Sequence, residues 1–187
     1  MPDCTDSGPP GRCVTTDIEE VLDALPATAR VLDAGCGQGV PMLTRANRST
    51  TGIGLDIARA KLHRARTNVP IAPLVHGDMR RLPFRANTFD VVVAKHSIAH
   101  VPDRHRHSVF AEFARVLRPG GHLLLLVNDY DWGDASLLEE RSNGGLEATR
   151  DRLATAGFSL RDDRPLHPQS DSDETAPVQF LRADAVE

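Results

Sequence analysis

The sequence predicts an α/β fold, a doubly wound and mostly parallel sheet with helices on both faces. Three observations predict it. Short apolar runs alternate with helix-like stretches from Val31 to Val127, the pattern of strands joined by crossover helices. A glycine-rich turn, Gly35 to Gly39, follows the first apolar run directly, as strand-to-helix turns do at ligand sites in such sheets. The 187 residues, 40% of them hydrophobic, lie in the usual single-domain range and can furnish one core.

Residues 1–14 hold prolines and glycines without apolar periodicity, and read as a flexible N-terminal tail before a single domain over 15–187. Thr16 and Glu19 have capping-box spacing, and Ile18, Val21, Leu22 and Leu25 form a helical stripe that ends before Pro26. That helix is expected to cover the edge of the ligand site. Val31 and Leu32 end the first strand, the glycine turn follows, and Pro41 to Ala46 continue as a helix. Thr51 to Asp56 form the second strand and Ile71 to His76 the third, with a fourth ending at Lys95 and His96. Arg118 to Gly121 make a turn before the fifth strand, which contains Leu123 to Val127. Leu146 to Ala156 read as a helix closed by Gly157, and Phe158 to Leu166 and Val178 to Ala183 as strands flanking the polar loop His167 to Thr175.

The turn discriminates between cofactors. A dinucleotide fingerprint requires glycine at the first, third and sixth positions, and the sixth here is Val40. Asp33, two positions before Gly35, followed by glycine at 35, 37 and 39, suits a ligand with an ammonium and a carboxylate but no pyrophosphate. S-adenosylmethionine fits that description. Asp56 lies where an acidic ribose ligand is expected, about 20 residues beyond the glycine turn, and its carboxylate can accept from both ribose hydroxyls. Gly77, Asp78 and Met79 follow the third strand, where a carboxylate beside an open backbone N–H can hold the adenine amino group and ring nitrogen. Alone, each aspartate is an ordinary cap or turn residue, and the glycine turn is compatible with tight packing. Their order at three successive strand ends favours a binding role.

Together VLDAGCGQG, GLDIARA, GDMRRLPFRANTFDVVVAKHSIAHV and LRPGGHLLLLV resemble the ordered motifs of class I S-adenosylmethionine-dependent methyltransferases, from Val31 to the C-terminus. Within that superfamily, LPFRANTFDVVV and SIAHVPDRHRHSVFAEFARVLRPGG resemble the small-molecule group that includes ubiquinone and menaquinone C-methylases and natural-product methyltransferases. The resemblance implies a Rossmann-like, mostly parallel seven-stranded sheet with a C-terminal antiparallel hairpin. It also implies that Asp33, Gly35 and Gly37 surround the methionyl end, Asp56 and Ile57 the ribose, and Asp78 and Met79 the adenine, with Cys36, Gly39 and Gly77 as further cofactor-binding residues. Lys95 departs from the pattern, because an ammonium repels a sulfonium unless it points away or meets a carboxylate. Its backbone is therefore expected to be what touches the cofactor.

The acceptor side is read from the ends of the fourth and fifth strands. His96 and His100 are the candidate catalytic residues, His100 as general base because imidazole titrates near neutral pH. A histidine there can instead order the loop. His96, Asp129, Tyr130 and Trp132 are the candidate acceptor contacts, with Tyr130 and Trp132 as an aromatic wall or as packing residues. Arg104 to His107 read as a solvated basic face with a role only toward an anionic acceptor.

Twenty-six acidic against 22 basic residues give a net charge of −4, the wrong sign for binding that rests on phosphate neutralisation, so no nucleic-acid partner is expected. The resemblance implies a small-molecule methyl acceptor as the partner. Leu123 to Val127 is too short to cross a bilayer and the polar N-terminus lacks a signal-peptide core, so no membrane partner and a cytoplasmic location are expected. Cys4, Cys13 and Cys36 lack metal-ligand spacing, giving the expectation of neither disulfide nor metal. All but two of the basic residues are arginine, which suggests a GC-rich bacterial source. Little chain separates the fifth strand from the last helix, so the site is either open or completed by a partner, a homodimer being one such arrangement. The same motifs also suit a protein that uses the cofactor to shape a pocket for a non-methylating reaction such as cyclisation, or a non-catalytic cofactor-binding or adaptor subunit. Release of S-adenosylhomocysteine on turnover separates cyclisation from methyl transfer.

Overall fold

The computed structural model describes residues 16–128, 145–166 and 178–186. In chain order the elements are α1 (Thr16–Asp23), β1 (Arg30–Ala34), α2 (Met42–Ala46), β2 (Thr51–Asp56), α3 (Arg59–Asn68), β3 (Leu74–His76) and β4 (Phe89–Lys95). They continue as α4 (Asp103–Val116), β5 (Leu117–Asn128), α5 (Gly145–Thr155), β6 (Phe158–Leu166) and β7 (Val178–Ala185). The strands form one sheet in the order β3-β2-β1-β4-β5-β7-β6. β1 to β5 pair in parallel, and β7 lies antiparallel between β5 and β6. This is the expected Rossmann-like sheet with its C-terminal hairpin.

The chain winds outward from β1 to β3, then returns to β4 on the other side of β1. The two crossovers leave a crevice above the carboxyl ends of β1 and β4, the switch point at which open sheets bind ligands. The central strands are apolar on both faces, as burial under two helical layers requires. Leu32, Val92 and Leu123 pack toward α4 and α5 with Phe110, Phe113 and Leu153. Val31, Val91, Val93 and Leu124 pack the other way with Ile18 and Leu22 of α1 and Met42 of α2. Leu43 of α2 meets Val69 at the end of α3, so these helices share that second layer.

Four sequence expectations need correction. β3 begins at Leu74, and Ile71 lies in the preceding turn with 74% exposure. Pro70 and Pro73 have no N–H for a ladder, although the Pro73 carbonyl accepts from Gly54 N–H at 2.9 Å. Arg118 to Gly121 do not separate a turn from a strand, since β5 starts at Leu117 and carries them as an irregularity. Phe89 pairs with Leu117 and Val91 with His122, so three extra residues of β5 are accommodated, and Phe89 and Val91 bury on opposite faces. The described part of α1 packs on α2 and the sheet and contributes nothing to the cavity described below. Its acidic side is fixed by Arg45 of α2, whose guanidinium donates to Asp23 at 2.9 Å and lies 3.8 Å from Glu19. Finally, Arg106 is not solvated within its basic run: it is buried at 4% exposure and donates to the Val101 carbonyl at 3.0 Å and to Asp103 at 3.3 Å.

Candidate active site

The glycine turn is built by hydrogen bonds to the neighbouring strand. Gly35 N–H and Cys36 N–H both donate to the Leu55 carbonyl, at 2.7 and 3.0 Å. Gly35 has a φ of +83°, and a Cβ on it would lie 2.4 Å from Ser97 Cβ, so both backbone conformation and space require glycine. Ser97 in turn donates from Oγ to the Ala34 carbonyl at 2.8 Å, which fastens the end of β4 to the end of β1. The Asp56 carboxylate, at the end of β2, accepts from Gly37 N–H at 2.9 Å and Ala58 N–H at 2.7 Å. One buried carboxylate therefore ties the turn to the start of α3.

These contacts frame a cavity of about 610 Å³ at the carboxyl ends of the strands, within the usual range of small-molecule sites. Asp33, Asp56 and Asp78 all line it, from β1, β2 and the segment after β3. Gly35, Cys36, Gly37, Ile57, Gly77 and Met79 line it as well, as do Lys95, His96 and His100. Gly39 does not reach it: a Cβ there would face Val69 and Ala65 behind the turn. Asp129, Tyr130 and Trp132 lie outside the described residues, as do Cys4 and Cys13.

Helix α4 holds both flanking loops. Glu112 accepts from Leu82 N–H at 2.6 Å, and Arg115 donates to the Leu82 and Phe84 carbonyls at 3.1 and 2.8 Å, which fixes the segment after Asp78. The Arg115 hydrogen bonds hold the Glu112 carboxyl below its usual range. Arg106 anchors the other loop, which carries a short 3-10 turn, Ile98–His100. His100 is exposed on that turn, while His96 has a φ of +50°, a left-handed conformation uncommon outside glycine.

The charges differ in environment. Asp33 is 4% exposed, and burial pushes its carboxyl up to about 7, against a downward pull from Lys95 and with a further upward push from Asp56. Asp78 is held below its usual range, chiefly by the side-chain hydrogen bonds of Arg80 at 2.8 and 2.6 Å. Burial, with Asp33 and Asp56 adding to it, pushes the Cys36 thiol up to about 12, so this cysteine is an inert small hydrophobe. Ser97, Arg80, Lys61 and the half-exposed Val40 also line the cavity and were not singled out by sequence reasoning. For Ser97 a signal existed: a small polar residue just beyond the apolar β4 run.

A doubly wound sheet with a glycine turn, three carboxylates at successive strand ends and a cavity at its switch point defines a small-molecule cofactor-binding α/β protein. Residues 32–125 match the family described as Methyltransferase domain, and the chain belongs to that family, within the class I S-adenosylmethionine-dependent methyltransferase superfamily. Over 140 residues it is 36% identical to 27-O-demethylrifamycin SV methyltransferase of Amycolatopsis mediterranei, covering 71% of this chain and 47% of that protein. Over 101 residues it is 43% identical to phthiotriol/phenolphthiotriol dimycocerosates methyltransferase of Mycobacterium leprae, covering 50% of this chain and 36% of that one. The chain thus spans less than half the length of these curated relatives. In fold it is similar to an S-adenosylmethionine-dependent methyltransferase from Methanosarcina mazei, with TM-score 0.76 and 18% identity, over 89% of this chain and 97% of that one. The 4+2 cyclase SpnF has the same fold, with TM-score 0.69 and 20% identity, over 91% of this chain and 81% of that one.

S-adenosylmethionine is the cofactor of this superfamily, and the residues present fit it. A cradle that excludes a Cβ at Gly35, a buried carboxylate beside it for an ammonium, and a second carboxylate on the neighbouring strand match the ligand's ends.

Because the folded pKa of Asp33 lies above that of the unfolded chain, its protonation favours the fold. That stability is intact below about pH 4 and is lost as pH rises to about 7. Asp33→Asn removes the ionisation. In urea unfolding, the stability of the wild type relative to this variant should fall by roughly 2–4 kcal/mol between pH 4 and pH 8. Parallel stability curves would show that Asp33 ionises in the fold without penalty.

Proposed function

We propose that the chain transfers a methyl group from S-adenosylmethionine to an oxygen, nitrogen or carbon atom of a small molecule. The observation that carries this reading is the asymmetry of the cavity: carboxylates at the ends of β1 and β2 and after β3, histidines at and after the end of β4. The bound cofactor supplies an electrophilic methyl. Asp33 meets the cofactor's ammonium, beside Gly35 and Gly37. Asp56 uses its remaining lone pairs for the ribose hydroxyls, and Asp78 accepts from the adenine amino group, with Ile57 and Met79 as apolar walls. His96 lines the acceptor side, and His100 removes the acceptor proton at the imidazole nitrogen.

Orientation is the larger contribution. Holding acceptor and methyl in line supplies about 7–11 kcal/mol, whereas a general base adds about 10²–10⁴-fold. The net charge of −4 favours a small acceptor over nucleic acid. The name of the rifamycin relative, a methyltransferase of 27-O-demethylrifamycin SV, supports a natural product as that acceptor.

Two experiments test this. With methyl-labelled cofactor and a panel of macrolactones, phenols and amines, label should enter one acceptor with an equal amount of S-adenosylhomocysteine. Product formed without S-adenosylhomocysteine would instead establish a cyclase-type use of the cavity, and no product with any acceptor would favour an adaptor role. For that acceptor, His100→Ala should lower kcat by about 10²–10⁴-fold and flatten its pH dependence. An unchanged pH profile would remove His100 from proton transfer.

A further inference from the structure

Lys95 brings a cation into the cavity beside the buried Asp33 carboxyl, and its presence there requires an explanation. β1 and β4 are parallel neighbours, with Asp33 opposite Val93. Alternation along the strands puts Val31 and Asp33 on one face and Val91, Val93 and Lys95 on the same face. Asp33 and Lys95 therefore rise side by side from adjacent strand ends, and both line the cavity. The ammonium is near enough to lower the Asp33 carboxyl. Among the described residues, however, no direct ion pair joins the two. Of the cavity's other flexible cations, Arg80 is bound to Asp78 at 2.6 Å, and Lys61, from α3, reaches the cavity on the Cys36 side of the glycine turn, where it pulls the thiol downward.

An anion and a cation that face the same space without closing on each other are complementary to a zwitterion. An amino-acid end carries its ammonium and carboxylate on a single carbon, so both charges can be met from two adjacent strands. A bare ammonium at this position would also repel a sulfonium, and a ligand carboxylate between them removes that conflict. We infer that the Lys95 ammonium anchors the carboxylate of the cofactor's amino-acid end, forming with Asp33 a two-charge clamp. The inference rests on the proposed placement of the methionyl end beside Asp33. It differs from the sequence expectation that only the Lys95 backbone makes contact.

The test compares two ligands with neutral sulfur, so that sulfonium repulsion does not enter. S-adenosylhomocysteine has the amino-acid end and 5′-methylthioadenosine lacks it. Calorimetric titration of the full chain should show Lys95→Met weakening S-adenosylhomocysteine by about 10-fold or more, the value of a charge-assisted hydrogen bond. Binding of 5′-methylthioadenosine should stay within about twofold, and Lys95→Arg should restore most of the S-adenosylhomocysteine affinity. Equal weakening of both ligands would overturn the clamp in favour of a structural role. No change in either would also overturn it, and would leave the ammonium to the acceptor. Failure of the underlying placement looks different: the wild type itself would bind neither ligand, or would bind both equally.

Discussion

The Asp56 carboxylate is the contact on which the cavity depends. Its two oxygens accept from Gly37 N–H and Ala58 N–H, groups that belong to separate strand-to-helix turns. Each charge-assisted bond of this kind contributes about 1.5–3 kcal/mol, enough to hold one loop geometry against its alternatives. Because Asp56 is only 5% exposed, these donors also satisfy a buried charge that would otherwise be costly. The same carboxylate also lines the cavity, so under the proposed function a structural tie and a ligand contact are combined in one side chain.

Around that tie the walls are fixed from behind. Ser97 joins the ends of β1 and β4, while α4 reaches both loops through Glu112, Arg115 and Arg106. Asp103 extends the system, since it accepts from Arg106 and from Arg152 of α5 at 2.8 Å. A mutation in α4 can therefore alter the cavity without touching a ligand. The mouth is different in character: Val40 and Ile57 are 54% and 64% exposed, apolar surface that is left open at a cavity edge and suits a flat or greasy ligand.

Much of this was legible because β1, β2 and β3 are successive in the chain and adjacent in the sheet. Asp33, Asp56 and Asp78 each follow an apolar run, and in a parallel sheet every such position lies at the same edge. The glycine turn was legible for the same reason, and the hairpin through its family resemblance. Other features were not. Gly39 shares the alternate spacing of Gly35 and Gly37, yet it faces Val69 and Ala65, a packing contact that no local pattern encodes. Arg106 lies in a run of four basic residues and reads as solvated, but its guanidinium turns inward to loop carbonyls. Ile71 has strand-forming chemistry, and the flanking prolines override it. Ser97 was missed because its role depends on a partner 63 positions away.

Three carboxylates at successive strand ends form the proposed S-adenosylmethionine site, with Asp56 as its keystone. Calorimetric titration of the purified chain with S-adenosylmethionine tests it directly, using Asp56→Ala, checked for native circular dichroism, as the control. Saturable one-site binding to the wild type and none to the folded variant is the expected result. No binding to folded wild type, or undiminished binding to the variant, would contradict it.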